Sequence, residues 1–127
     1  MKPEVKAAWI AALRSGEYKQ GRAQLRTGDQ FCCLGVLCDI ASKHGVGEWH
    51  ESGAFKADGH WEGSLPPQVV IDWAGLGHIN PRVGPVFDDD WRYGLSDWND
   101  GVQGTGDDTD IDPHSFAEIA DLIEKEL

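Results

Sequence analysis

Three cysteines, Cys32, Cys33 and Cys38, sit inside one apolar run from Phe31 to Cys38. A thiol attacks only as the thiolate, and a helix N-terminus or a nearby cation lowers its pKa to that end. Cys32 and Cys33 stand where a helical pattern begins, so either is a candidate nucleophile. His60, between Gly59 and Trp61, is the candidate base. Gln20 or Gln30 would donate to an oxyanion, and Asp58 or Asn99 would orient the imidazole. Against this reading, cysteine is among the most buried residue types, and apolar residues surround all three thiols. Core packing is therefore the leading assignment for them, with a Cys-dependent hydrolase or transferase as the alternative.

Metal binding is weaker still on the sequence. The three cysteines with His44, His50 or His60 supply soft ligands, but no CxxC pair is present, and adjacent cysteines rarely converge on one tetrahedral ion. Asp108, Asp110 and Asp112 alternate as in a calcium loop. The glycine expected at the sixth position is missing, and Ile119 stands where the twelfth-position glutamate belongs. No cofactor is expected. No phosphate-cradling glycine loop, Ser-His-Asp spacing or HExxH segment occurs.

The aromatic residues carry more. Six tryptophans exceed what one small core needs. Trp9 and Trp73 read as core, whereas Trp49, Trp61, Trp91, Tyr93 and Trp98 lie among Gly and Asp turn residues. Arg82 and Arg92 are the only basic side chains between Lys56 and Lys125. Trp and Arg in such loops are typical binding hot spots, and an Arg beside aromatic faces holds planar or phosphorylated ligands.

The elements that must position these groups follow from periodicity. Val5, Ala8, Trp9, Ala12 and Leu13 recur at helical spacing after Pro3 and before Gly16, predicting a helix over 3–15. Tyr18 to Arg26 and Gln30 to Cys33 flank Thr27-Gly28-Asp29 as a hairpin would. Cys33, Leu34, Leu37, Cys38 and Ala41 share one face of a helix over 33–43. Residues 46–63 suit two short strands around Asp58-Gly59, and Pro66-Pro67 opens a short helix through Trp73. Val83 to Phe87 suits an edge strand, since it contains Pro85. Residues 88–113 read as a long Asp/Gly loop with a helical turn near Ser96. Ser115 and Glu118 form a capping box before a helix over 116–126. The expected architecture is one α+β domain, 1–127, with three or four helices on a small, mostly antiparallel sheet.

Composition narrows the classes. The 127 residues carry 11 Lys+Arg against 22 Asp+Glu, a net charge of −11. Residues 1–45 are net +3 and the remainder −14. Such an acidic chain repels phosphate backbones, so direct nucleic-acid binding is disfavoured unless Lys19, Arg22 and Arg26 form a local basic patch. No apolar stretch approaches the roughly 18 residues of a membrane span, and no signal-like segment follows Met1, so a cytoplasmic location is expected.

Trp9-Ile-Ala-Ala-Leu-Arg-Ser-Gly16, Tyr18-Lys-Gln20, Leu25 and above all Phe31-Cys-Cys-Leu-Gly-Val-Leu-Cys-Asp39 resemble a group of small accessory proteins of tailed bacteriophages and prophages. Trp98-Asn-Asp100 and Ser115-Phe-Ala-Glu-Ile-Ala-Asp121 resemble the C-terminal part of that group. The connection between Asp100 and Ser115 is longer here than in the group. The resemblance carries no activity, cofactor or catalytic residue. It implies an accessory protein acting in the cytoplasm of an infected bacterium. The expectation is a non-enzymatic binder of a host protein or of a small metabolite such as a nucleotide, for instance an inhibitor of bacterial defence. Self-association is left open.

Overall fold

The computed structural model describes residues 1–86, 92–102 and 111–127. Among them five helices and two three-stranded sheets form an α+β fold. Helix α1 (Pro3–Arg14) begins on proline, carries Glu4 in its first turn and Arg14 in its last, and so matches its own dipole. Its buried face is Val5, Trp9, Ile10 and Leu13. Ile10 takes the place expected of Ala8, which is exposed.

Strands β1 (Lys19–Gln20), β2 (Arg26–Thr27) and β3 (Gln30–Phe31) follow. The expected hairpin exists as the antiparallel β2–β3 pair, while β1 lies parallel to β3 on its other side. Helix α2 (Cys33–Lys43) is the centre of the molecule, with eight of its eleven residues buried. Gly35 explains how it gets so close to the first sheet: a Cβ there would lie 1.9 Å from the Leu25 carbonyl oxygen. That same carbonyl accepts the Cys32 N–H at 3.2 Å.

Strands β4 (Glu48–Trp49), β5 (Phe55–Ala57) and β6 (His60–Glu62) make the second sheet, one strand more than expected. Asp58 and Gly59 both have positive φ, 51° and 79°. This is the two-residue turn whose twist suits a hairpin. Helix α3 (Gln68–Ala74) ends at Gly75 in the left-handed conformation. Trp73 is partly buried: it packs against the core cluster and the His44 ring and lines a groove beside α1. In place of a strand over 83–87, the described residues show a single bridge between Arg82 and Gly94.

Helix α4 (Leu95–Asp100) starts at Gly94, whose N–H is accepted by Asp97 Oδ2 at 3.1 Å. Helix α5 (Phe116–Glu126) has the expected capping box: Ser115 Oγ accepts the Glu118 N–H at 3.2 Å, and Glu118 Oε1 accepts the Ser115 N–H at 3.0 Å. Its apolar face lies on α1, and Arg14 bridges to Asp121 and Glu124 at the rim.

Two substitutions test this packing in denaturant melts. Leu37→Ala should cost about 2–5 kcal/mol, the range for truncating a fully buried Leu. Gly35→Ala should cost about 1–3 kcal/mol or more, because α2 must move off the Leu25 backbone. A loss below about 0.5 kcal/mol for either would contradict the placement of α2.

Candidate functional site

The cysteine region is built for order. Cys32 caps α2, its Sγ accepting the Gly35 N–H at 3.3 Å, and is 4% exposed. Cys33 is fully buried, with its thiol directed at the Leu95 carbonyl at 3.7 Å. Cys38 is buried on the same helix. Burial pushes the Cys32 thiol up to about 11, with the nearby Asp100 carboxylate adding to the rise. Burial holds Cys33 and Cys38 well above the ordinary thiol range. The helix N-terminus therefore does not win here, since removing a thiolate from water costs more than the dipole returns. His60 stands exposed on β6, and no hydrogen bond joins it to either thiol.

The residues proposed to assist catalysis are used differently. Asn99 is fully buried and makes four hydrogen bonds: Oδ1 accepts from the Cys33 N–H at 3.1 Å and from Gln20 Nε2 at 3.0 Å, while Nδ2 donates to the Gly21 carbonyl and to Asp100 Oδ1, both at 2.8 Å. Gln20 also donates to the His114 carbonyl at 2.7 Å. Asp100 Oδ1 accepts the N–H of Ala23, a residue held at φ 70°. Every donor and acceptor of the Asn99 amide is spent on scaffold. Gln30 is exposed in β3, and Asp58 is in the β5–β6 turn.

The aromatic candidates divide. Tyr93 and Trp98 are core at 5% and 4% exposure. Their rings meet edge to face, and Trp98 Nε1 donates to the Val83 carbonyl at 2.9 Å. Arg92 pairs with Glu126 at 3.2 Å, Arg82 is exposed in the bridge to Gly94, and Trp91 lies outside the described residues. Trp49 is half-buried and continues a run of edge-on rings, Tyr18, Phe31, Trp49 and Phe55. Arg26 covers the Phe31 and Trp49 faces at 5.2 and 5.5 Å. Asp39 ties this run to α2: it accepts from the Tyr18 hydroxyl, from Trp49 Nε1 at 3.1 Å, and pairs with Lys43 at 3.4 Å. Tyr18, Phe31 and Asp39 enter the sequence reading only as ends of segments and Arg26 only as part of a basic patch, since nothing local marks the contacts that bring them together.

Trp61 is different. It is 48% exposed in β6, where all three residues face solvent. The register sets Glu48, Lys56 and Trp61 in a row on the outer face of the second sheet, opposite the face of buried Phe55 and Ala57. Lys56 Nζ lies 5.0 Å from the Trp61 ring centre, and the His50 ring meets it edge-on at 4.9 Å. On the inner face, where the sheet overhangs the core, His60 and Glu62 form one wall of a groove of about 380 Å³. Gln68, Val69 and Asp72 of α3 form the other wall. Lys56 was legible in principle, because a two-residue Asp-Gly turn fixes it opposite Trp61.

Among the described residues no group of three or more His, Cys, Asp or Glu is arranged to hold a metal ion. Of the alternating carboxylates, Asp108 and Asp110 lie outside the described residues, and Asp112 is exposed. His44 and His50 are engaged by the Ile40 carbonyl and by Ser52. No helix of the described residues is long and apolar enough to cross a membrane.

Thiol reactivity checks the site assignment. With a thiol pKa near 11, Cys32 should label at neutral pH far more slowly than a free cysteine. All three thiols should react rapidly in denaturant. Rapid labelling of one native thiol near pH 7 would restore the nucleophile reading.

No curated protein and no solved structure matches the chain. A family model described as a domain of unknown function (DUF8296) matches residues 1–127, the whole length, and the chain therefore belongs to that family.

Proposed function

We propose that this protein is a non-enzymatic binder that recognises a host protein through the outer face of its second sheet. The exposure of Trp61 carries the reading. A tryptophan nearly half open to water, braced by Lys56 and His50 on a strand with no buried side chain, is surface placed at an entropic and solvation cost that binding would recover. The raised thiol pKa values and the absence of a thiol–imidazole contact favour binding over Cys-dependent hydrolysis. Burial of Tyr93 and Trp98, with Arg92 engaged by Glu126, takes away three of the seven aromatic and Arg side chains that would suit a nucleotide, and so favours a protein. The resemblance to phage accessory proteins supports a partner inside an infected bacterium, a defence protein being one such target. The net charge of −11 suits a basic partner surface and would speed encounter with it.

Affinity capture from bacterial extract with wild type and Trp61→Ala in parallel tests this. The variant should keep its melting temperature and weaken binding to the captured partner by about 2 kcal/mol, roughly 30-fold. Equal capture by both proteins would remove Trp61 from recognition.

A further inference from the structure

Among the described residues the second sheet ends at β6, which pairs there with β5 alone. The Asp58-Gly59 turn makes Ala57 and His60 the hydrogen-bonded pair that closes the hairpin. Antiparallel ladders alternate, so Lys56 and Trp61 form the next, non-bonded pair, and the main-chain N–H and C=O of Trp61 point away from β5 to the open edge. No hydrogen bond from the described residues reaches them there, and the free edge is short: two residues on, the Gly63 carbonyl is taken by the Leu25 N–H at 2.7 Å. Below this edge lies the groove between β6 and α3, and its chemistry is one-sided. Asp58, Glu62 and Asp72 line it beside His60 and Gln68; Asp72 Oδ1 accepts from Gln68 Nε2 at 3.0 Å, and among the described residues none of the three carboxylates is paired with a Lys or Arg.

We infer that β6 accepts an extended, basic segment of the partner as a fourth strand. Segment side chains on the inner face place Arg or Lys among Asp58, Glu62 and Asp72, and those on the outer face lie beside Trp61. This deepens the binding reading and rests on it. Strand addition supplies directional main-chain bonds, and alternate side chains supply selectivity. In an antiparallel pairing the partner residue opposite Trp61 exchanges both hydrogen bonds with it, and its own side chain shares the outer face. The preferred sequence therefore alternates basic and neutral residues. A second copy of this chain is a poor occupant, because at net −11 it brings like charge to an acidic groove.

The probe is an acetylated, amidated, fluorescently labelled peptide of about eight alternating Arg and Thr residues, a common strand length, read by anisotropy. It should bind at about 0.05 M salt and weaken as salt rises. Replacing each Thr by Pro keeps the charge and removes the N–H that meets the Trp61 carbonyl; affinity should fall at least about tenfold. Glu62→Lys and Asp72→Lys, both at exposed positions, should each lower affinity at least about tenfold. Glu17→Lys, outside the groove, should leave it within about twofold. Equal binding of the Pro peptide, indifference to the two groove reversals, or no binding of the Arg/Thr peptide at low salt would each overturn strand addition. Partner capture that depends on Trp61, with no peptide bound, would leave the binding reading standing without this mode. Capture indifferent to Trp61 would overturn the reading beneath it.

Discussion

The buried amide of Asn99 holds the parts of this molecule in register. Asparagine can accept at two lone pairs and donate two protons, and here all four are used. One acceptance answers the Cys33 N–H, among the first-turn donors of α2 that no helical carbonyl can reach. Another holds Gln20, which passes the connection on to the His114 carbonyl just ahead of α5. The Cys33 carbonyl in turn takes the Trp9 indole N–H of α1 at 2.9 Å. A single residue at the start of α2, Cys33, is thus fixed at both its main-chain groups by side chains from α1 and α4. An apolar side chain at 99 would strand the Cys33 N–H and the Gly21 carbonyl away from water, and each such loss costs about 1–3 kcal/mol.

The rest of the interior follows from that anchoring. With the start of α2 fixed, Gly35 lets the helix approach the Leu25 backbone, and Leu25 N–H reaches the Gly63 carbonyl beyond β6 at 2.7 Å. Four residues past Gly35, Asp39 gathers Tyr18, Trp49 and Lys43. The segments Phe31–Asp39 and Trp98–Asp100, which read on paper as a core cysteine run and as part of a long Asp/Gly loop, meet inside the protein and hold one another. The exposed aromatic side chain of the second sheet, Trp61, lies in the middle of the chain, away from this interior network.

Much of the scaffold was legible because its signals are local. The apolar faces of α1, α2 and α5, the Pro at the head of α1, the Ser115–Glu118 box and the Asp58-Gly59 turn all act within one or two turns of chain. The parallel β1–β3 pair was not legible, since strands of two residues hold no alternation and their pairing is non-local. Asn99 was weighed as a partner for a catalytic imidazole; its actual partners lie 66 to 79 residues away in sequence, apart from Asp100. Trp98 was misleading for a related reason. The Asp and Gly residues around it read as a surface turn, yet a Cβ at Gly84 would lie 2.6 Å from the Trp98 ring, so that glycine admits a buried indole. Of the site, Trp61 was visible as an aromatic among turn residues. The acidic groove was not, because Asp72 comes from α3 and joins Asp58 and Glu62 only in the folded chain.

Paired denaturant melts of wild type and Asn99→Asp across pH test the central role of this amide most directly. The substitution keeps the shape, removes both donors and sets a carboxylate against Asp100. At neutral pH it should cost about 3 kcal/mol or more relative to wild type. Because the new carboxyl would have a raised pKa in the folded state, part of that difference should be regained as pH falls below about 5, where the protonated acid can donate again. A difference below about 0.5 kcal/mol at neutral pH, or one that does not change with pH, would contradict the account.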